Sequence, residues 1–225
     1  MAELKVIDVN QGVFEFNDRV AAETRKQLKE QKTYMVNVMA SPGAGKTTTL
    51  LAIIDRFKEK YKIGVMEADI DATVDAETMQ NAGVRSIQVH TGGECAMDAE
   101  MTMEALREFP TEDLDVLFLE NIGNLVCPAE TDTGASMNLE ILSVPEGDDK
   151  PLKYPLMFTK ADVVLVNKID ALEAFDFDLE KFTENVRMRN ANADVIAVSA
   201  ETGEGFDEAA AWIRNAAEEF LGGAK

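Results

Sequence analysis

The stretch "YMVNVMASPGAGKTTTLLAIIDRF", residues 34–57, restricts the fold of this chain more than any other. An apolar run enters a glycine-rich turn and leaves it through Lys-Thr into a helical pattern. This matches the phosphate-loop pattern G-x-x-x-x-G-K-[ST], with Ala40 at the first glycine. Such a loop works because glycines let consecutive amides face phosphate oxygens while the following helix directs its positive end at the same anion. Gly43 and Gly45 supply that freedom, and Ala44 and Thr48 belong to the same nucleotide-binding turn. Lys46 is expected to bridge the β- and γ-phosphates, and the Thr47 hydroxyl to ligate Mg²⁺. Ala40 is a mild departure, since the inward amides lie further along the loop.

Short apolar runs recur at 34–39, 62–67, 85–90, 114–120, 139–144, 162–168 and 194–200. Most are apolar throughout, which fits strands covered on both faces. Helix-length segments separate them, at 46–60, 72–82, 96–109, 178–190 and 206–221. The alternation predicts an α/β fold of the P-loop NTPase kind, a mostly parallel sheet of about seven strands flanked by helices. A further helix is expected at 17–32, with Asn17 as its N-cap, and the whole of 1–225 reads as one domain. Segments 124–138 and 145–160 hold four of the six prolines and read as loops.

The chain has 22 basic and 42 acidic residues, a formal charge of −20, which repels nucleic acid and anionic membranes. A nucleotide site here must gather positive potential locally, from amides, one lysine and a metal ion. No apolar run reaches the length of a bilayer span, and no signal peptide is visible. Two cysteines without an export signal lead us to expect a reducing, cytoplasmic setting and no disulfide framework.

Phosphate-loop chemistry needs an acid at a neighbouring strand end to hold the metal or orient water. Glu120 ends "DVLFLE" and begins an acid-x-x-glycine pattern completed by Gly123. Asp69 ends the second strand, with Asp71 and Asp75 just beyond it. Each of these acids is also compatible with a solvated loop, but strand C-terminal ends are where open α/β sheets bind ligands. Lys46, Asp69, Asp75 and Glu120 are therefore the candidate catalytic set, and Thr47, Asp69, Asp75 and Glu120 the candidate Mg²⁺ ligands.

The run "NKID", 167–170, follows an apolar strand and points to guanine. Guanine presents two parallel donors that one carboxylate, Asp170, can accept, whereas adenine has no such pair. Lys168 can cover the base with its aliphatic stem, and Asn167 can tie this loop to the phosphate loop. At the next strand end, "VSAETGEG" offers Ser199 and the Ala200 amide for the guanine carbonyl. A GTPase cycling between GTP and GDP is the predicted activity.

The ordered set "SPGAGKTT", "EADIDATVDAE", "QVHTGGECAMDAEM", "FLENIGNLVCPA", "SVPEGDDKPLKYPLMF", "NKID" and "TGEG" resembles the hydrogenase-maturation GTPase family HypB across nearly the whole chain. The resemblance implies a SIMIBI-class GTPase that dimerises with GTP and helps deliver nickel to [NiFe]-hydrogenase. It also implies a HypA-type nickel chaperone and the hydrogenase large subunit as partners. Related assembly GTPases for urease or cobalamin enzymes, or a GTP-gated scaffold without metal, are the alternatives. Two features depart from the family: the N-terminal cysteine-rich motif of some members is absent, and Ala96 follows Cys95 where Cys-His is usual.

Cys95 and Cys127 are both expected at the C-terminal edge of the sheet, Cys95 at a helix start where a thiol's pKa falls. Two thiolates do not close a tetrahedral site, but a twofold dimer would assemble four sulfurs suited to Zn²⁺ or square-planar Ni²⁺. His90, Asp98 or solvent would supplement them. Two unrelated reduced cysteines, with Cys127 a small packing residue, are the alternative.

Overall fold

A computed structural model describes residues 11–70 and 74–222, with side chains described from 14 to 70 and from 76 to 222. Seven strands form one sheet: β1 (Tyr34–Ala40), β2 (Ile63–Asp69), β3 (Arg85–His90), β4 (Val116–Glu120), β5 (Met137–Ser143), β6 (Val163–Asn167) and β7 (Asp194–Ala197). Their order is β3-β2-β4-β1-β5-β6-β7, and every pairing is parallel. β1 is therefore central, with β4 and β5 on either side of it. All of β1 and β4 is buried, as their largely apolar sequences lead one to expect, with Asn37 and Glu120 the polar exceptions.

Helices cover both faces. One face carries α2 (Lys46–Phe57), α3 (Val74–Asn81) and, last in the chain, α9 (Phe206–Phe220), whose Leu50, Ile53, Phe57, Met79, Phe206 and Ile213 pack on Val36, Val38, Phe118 and Ile141. Burying one such side chain fully contributes about 1.5–3 kcal/mol, so this layer anchors the loops at its rim. The other face carries α1 (Gln11–Gln31), α4 (Ala99–Glu108), the short α5 (Cys127–Glu130), α6 (Lys150–Lys153) and α7 (Pro155–Lys160), and α8 (Leu179–Arg189). Among the described residues no helix is long and apolar enough to cross a membrane.

Three expectations need correction. The first helix begins at Gln11 rather than near 17, so Asn17 is interior to it and caps nothing of its own. Its side chain instead reaches sideways, Nδ2 donating to the Asp132 carbonyl and Oδ1 accepting from the Ala99 amide at the start of α4. α4 itself begins at Ala99 behind Asp98, whose carboxylate accepts from the Met101 amide, so Cys95 lies in the preceding loop and not at a helix N-terminus. Segment 145–160 is largely helical, because its prolines occupy the first turns of α6 and α7, where a missing N–H costs nothing.

Candidate nucleotide and metal site

The phosphate loop joins β1 to α2 at the C-terminal edge of the sheet. Gly43 and Gly45 both have positive φ, 79° and 95°. Gly45 is further constrained, since a Cβ there would lie 2.6 Å from Asn167 Nδ2. That contact exists because Asn167, at the end of β6, donates to the Ala44 carbonyl at 2.9 Å. Lys168, in the left-handed region with φ of 63°, donates from Nζ to the Gly43 carbonyl at 2.7 Å. The motif "NKID" is thus fastened to the phosphate loop by two side chains.

Asn167 works on both sides. Its Oδ1 accepts from its neighbour's amide, Lys168 N, at 2.8 Å and from Ala200 N at 3.2 Å, which brings the loop after β7 against the base loop. Buried Ser199 donates its hydroxyl to Asp170 Oδ1, fixing one oxygen of that exposed carboxylate. All five residues proposed from sequence for the base, Asn167, Lys168, Asp170, Ser199 and Ala200, therefore converge, through bonds they make with each other. The Thr48 hydroxyl turns back to the Gly45 carbonyl at 3.0 Å.

The acids separate more clearly. Glu120 is 3% exposed and its Oε1 accepts from the Thr47 hydroxyl at 3.1 Å, joining two oxygen donors of the kind Mg²⁺ takes. Asp69 ends β2, two strands from β1, and lies in register with His90. Asp71 and the side chain of Asp75 fall outside the described residues. A further buried acid, outside every motif, is Glu67, 2% exposed and in register with Glu120 across β2 and β4. The only signal for it was an acid inside the apolar run "GVMEAD".

Two further carboxyls lie behind the phosphate loop. Glu146 accepts from the Ser41 hydroxyl on one oxygen, and from the Ser143 hydroxyl and amide at 2.8 Å on the other. Glu140, on β5, is fully buried, and neither of its oxygens has a hydrogen-bond partner. Its pKa is raised well above the carboxylate range, first by burial and then by Glu146, with Lys46 opposing.

The segment 120–127 runs from the phosphate site to a cysteine. At its start Glu120 meets Thr47, Asn121 N donates to the Val38 carbonyl, and Asn124 N donates to the Ala40 carbonyl. Gly123 lies so close to Pro42 that a Cβ would sit 3.1 Å from its backbone. The same segment grips both cysteine loops. Asn121 Oδ1 accepts from Met97 N at 3.0 Å, and Asn124 Oδ1 from Cys127 N at 3.2 Å.

Cys95 and Cys127 are joined in a disulfide, with Cα atoms 6.0 Å apart. This corrects the expectation that the two cysteines form no disulfide. The two sulfurs belong together, as a metal pair would need. Among the described residues no group of three or more His, Cys, Asp or Glu side chains that could hold a metal is assembled. His90 and Asp98 do not complete the pair, Asp98 being committed to capping α4.

Comparison with known proteins agrees with this architecture. The CobW/HypB/UreG nucleotide-binding domain matches residues 34–197. The hydrogenase maturation factor HypB of Escherichia coli K12 is 39% identical over 213 residues, covering 95% of this chain and 73% of that protein. The hydrogenase/urease maturation factor HypB of Helicobacter hepaticus is 41% identical over 199 residues, 87% and 81% of the two chains. The crystal structure of HypB from Helicobacter pylori in complex with nickel superposes with a TM-score of 0.85 at 36% identity, covering 91% of this chain and 96% of that one. With the phosphate loop, the base loop and the cysteine-bearing segment all in place, the chain belongs to the HypB family of hydrogenase maturation factors.

Proposed function

We propose that this chain is a Mg²⁺-dependent GTPase whose GTP-controlled homodimer assists nickel insertion during [NiFe]-hydrogenase maturation. The observation that carries the reading is the bracing of "NKID" onto the phosphate loop by Asn167 and Lys168, with Asp170 held by Ser199. That arrangement presents a carboxylate for guanine's two donors at a fixed distance from a phosphate cradle.

In this reading the amides of 43–48 and Lys46 take the phosphates, and Asp170 selects guanine while the Ala200 amide meets its carbonyl. Thr47 and Glu120 supply oxygen donors for Mg²⁺, with Asp69 and Asp75 as the further acids, and the ion would neutralise charge between the β- and γ-phosphates. Gly123, against Pro42, is placed to respond to the γ-phosphate, and segment 120–127 carries that response to Cys127. Nickel, the cargo, is taken by Cys95 and Cys127 as thiolates, two from each chain of the dimer; Zn²⁺ fits the same sulfur set. A HypA-type chaperone and the hydrogenase large subunit are the proposed partners, in the cytoplasm.

The Helicobacter hepaticus relative carries urease as well as hydrogenase in its name, and urease is the alternative client for this chain. Multiple-turnover phosphate release tests the core of the proposal. Turnover is expected with GTP, Mg²⁺ present, and with neither ATP nor the Lys46→Ala variant. Preserved turnover in that variant would contradict the phosphate-loop assignment, and release of a single phosphate per chain would indicate a scaffold instead of an enzyme.

A further inference from the structure

The disulfide between Cys95 and Cys127 has a chemical consequence for a pair assigned to metal. We propose that these two cysteines are a site of reversible oxidative modification, a dithiol that low-molecular-mass disulfides convert into an intrachain disulfide, and that the oxidised form cannot hold the metal ion. The gating half of this proposal rests on the metal reading above, whereas the disulfide half does not.

Proximity here is built in by the backbone. The two loops are held together by bonds that do not involve sulfur, the Asn121 Oδ1 accepting from Met97 N and the Thr131 hydroxyl donating to the Met97 carbonyl, while Asn124 Oδ1 fixes Cys127 locally by accepting from its amide. A Cα separation of 6.0 Å lies within the span that a disulfide bridges without backbone movement. The reduced pair therefore starts close to the geometry of the oxidised one, and the second step of exchange is intramolecular.

Exposure assigns the roles. Cys95 is exposed in its glycine-bearing loop, so an incoming disulfide can reach it, whereas Cys127 is half-buried at the start of α5. The Cys95 thiolate attacks one sulfur of the small disulfide, forming a mixed disulfide and expelling the first small thiolate. The Cys127 thiolate then attacks Cys95 Sγ and expels the second. Two protein thiols lose two electrons, the small disulfide gains them, and the two protons leave with the two small thiols. The chain has no third cysteine to divert the mixed disulfide. Metals bind the thiolate, so one oxidation per chain removes every sulfur ligand from the dimer.

The test uses the full chain, reduced and then exposed to graded ratios of oxidised to reduced glutathione, with thiols counted after denaturation and Ni²⁺ retention measured by equilibrium dialysis. Thiols should fall from two to none per chain without interchain links on a non-reducing gel, and nickel affinity should fall at least tenfold in parallel. Dithiothreitol should restore both. Cys95→Ser and Cys127→Ser should each stop at one glutathione adduct or one free thiol. Two thiols persisting under a large excess of oxidised glutathione, interchain linkage, or undiminished nickel affinity after oxidation would overturn the proposal. If thiols cycle as described while the reduced chain binds no nickel, the metal reading fails and the gating half falls with it.

Discussion

An alanine at position 45 would have to share space with the Asn167 amide in a backbone with φ of 95°, so one glycine is fixed by both the phosphate and the base sides of the site. Asp170 is exposed, and Ser199 holds one of its oxygens. Asp170→Asn should weaken GTP at least tenfold and relax selection against xanthosine triphosphate, whose carbonyl replaces the 2-amino group and can accept from an amide. An affinity for GTP unchanged within about twofold, by displacement of a fluorescent GDP, would mean that "NKID" does not read the base, because a lost charge-assisted pair costs more than about 1 kcal/mol. The convergence of these residues was legible in sequence because each motif is local. Glu67, Glu140 and Glu146 were not, since a lone acid in or beside an apolar strand has no pattern of its own. Glu140 gives a sign-definite pH test. Its folded pKa is raised, so the folded state keeps a proton that the unfolded chain has already released above the ordinary carboxylate range. Its stability is full below that range and declines as pH rises toward the folded pKa, with a limiting slope of about 1.4 kcal/mol per pH unit. Glu140→Gln, neutral at every pH, should therefore be more stable than the parent at pH 8 and gain nothing at pH 4. Equal melting shifts at both pH values would show that Glu140 does not hold the proton.

At the scale of elements, the segment after β4 is the one that, in the proposed function, would connect the nucleotide to the cargo. Asn124 presents two independent links, its amide to the Ala40 carbonyl and its side chain to the amides of Val126 and Cys127, at 2.7 and 3.2 Å. Asn124→Ala removes the second and keeps the first. Nickel affinity of the reduced chain should fall about tenfold, near 1.4 kcal/mol, while GDP affinity stays within about twofold. Equal losses in both would mean the segment supports the fold generally. The strands themselves were read from sequence to within a few residues, because burial on both faces makes most of their side chains apolar. Helix boundaries were less legible. Asn17 resembles an N-cap, but tertiary bonds to Asp132 and Ala99 use its side chain, and the prolines of α6 and α7 begin helices where they looked like interruptions. The pairing of Cys95 with Cys127 required the strand order, which sets β3 and β4 on either side of β2 so that the loops leaving them can meet, and is not written in any local spacing.

At the scale of the molecule, a chain with a formal charge of −20 has to gather any affinity for phosphate locally, and in the proposed metal reading its two sulfurs would make half of a four-ligand site. In that reading a twofold dimer would supply the other half. The central claim is that nucleotide state, dimerisation and metal capacity are one event, with segment 120–127 as their common part. Nickel stoichiometry, determined together with solution mass on the fully reduced chain bound to a non-hydrolysable GTP analogue and Mg²⁺, tests this most directly. The account predicts one tightly held nickel ion per two chains at dimer mass, and its loss at monomer mass with GDP. Tight binding of one ion per chain at monomer mass in both nucleotide states, or the same stoichiometry after Cys95→Ala with Cys127→Ala, would contradict it.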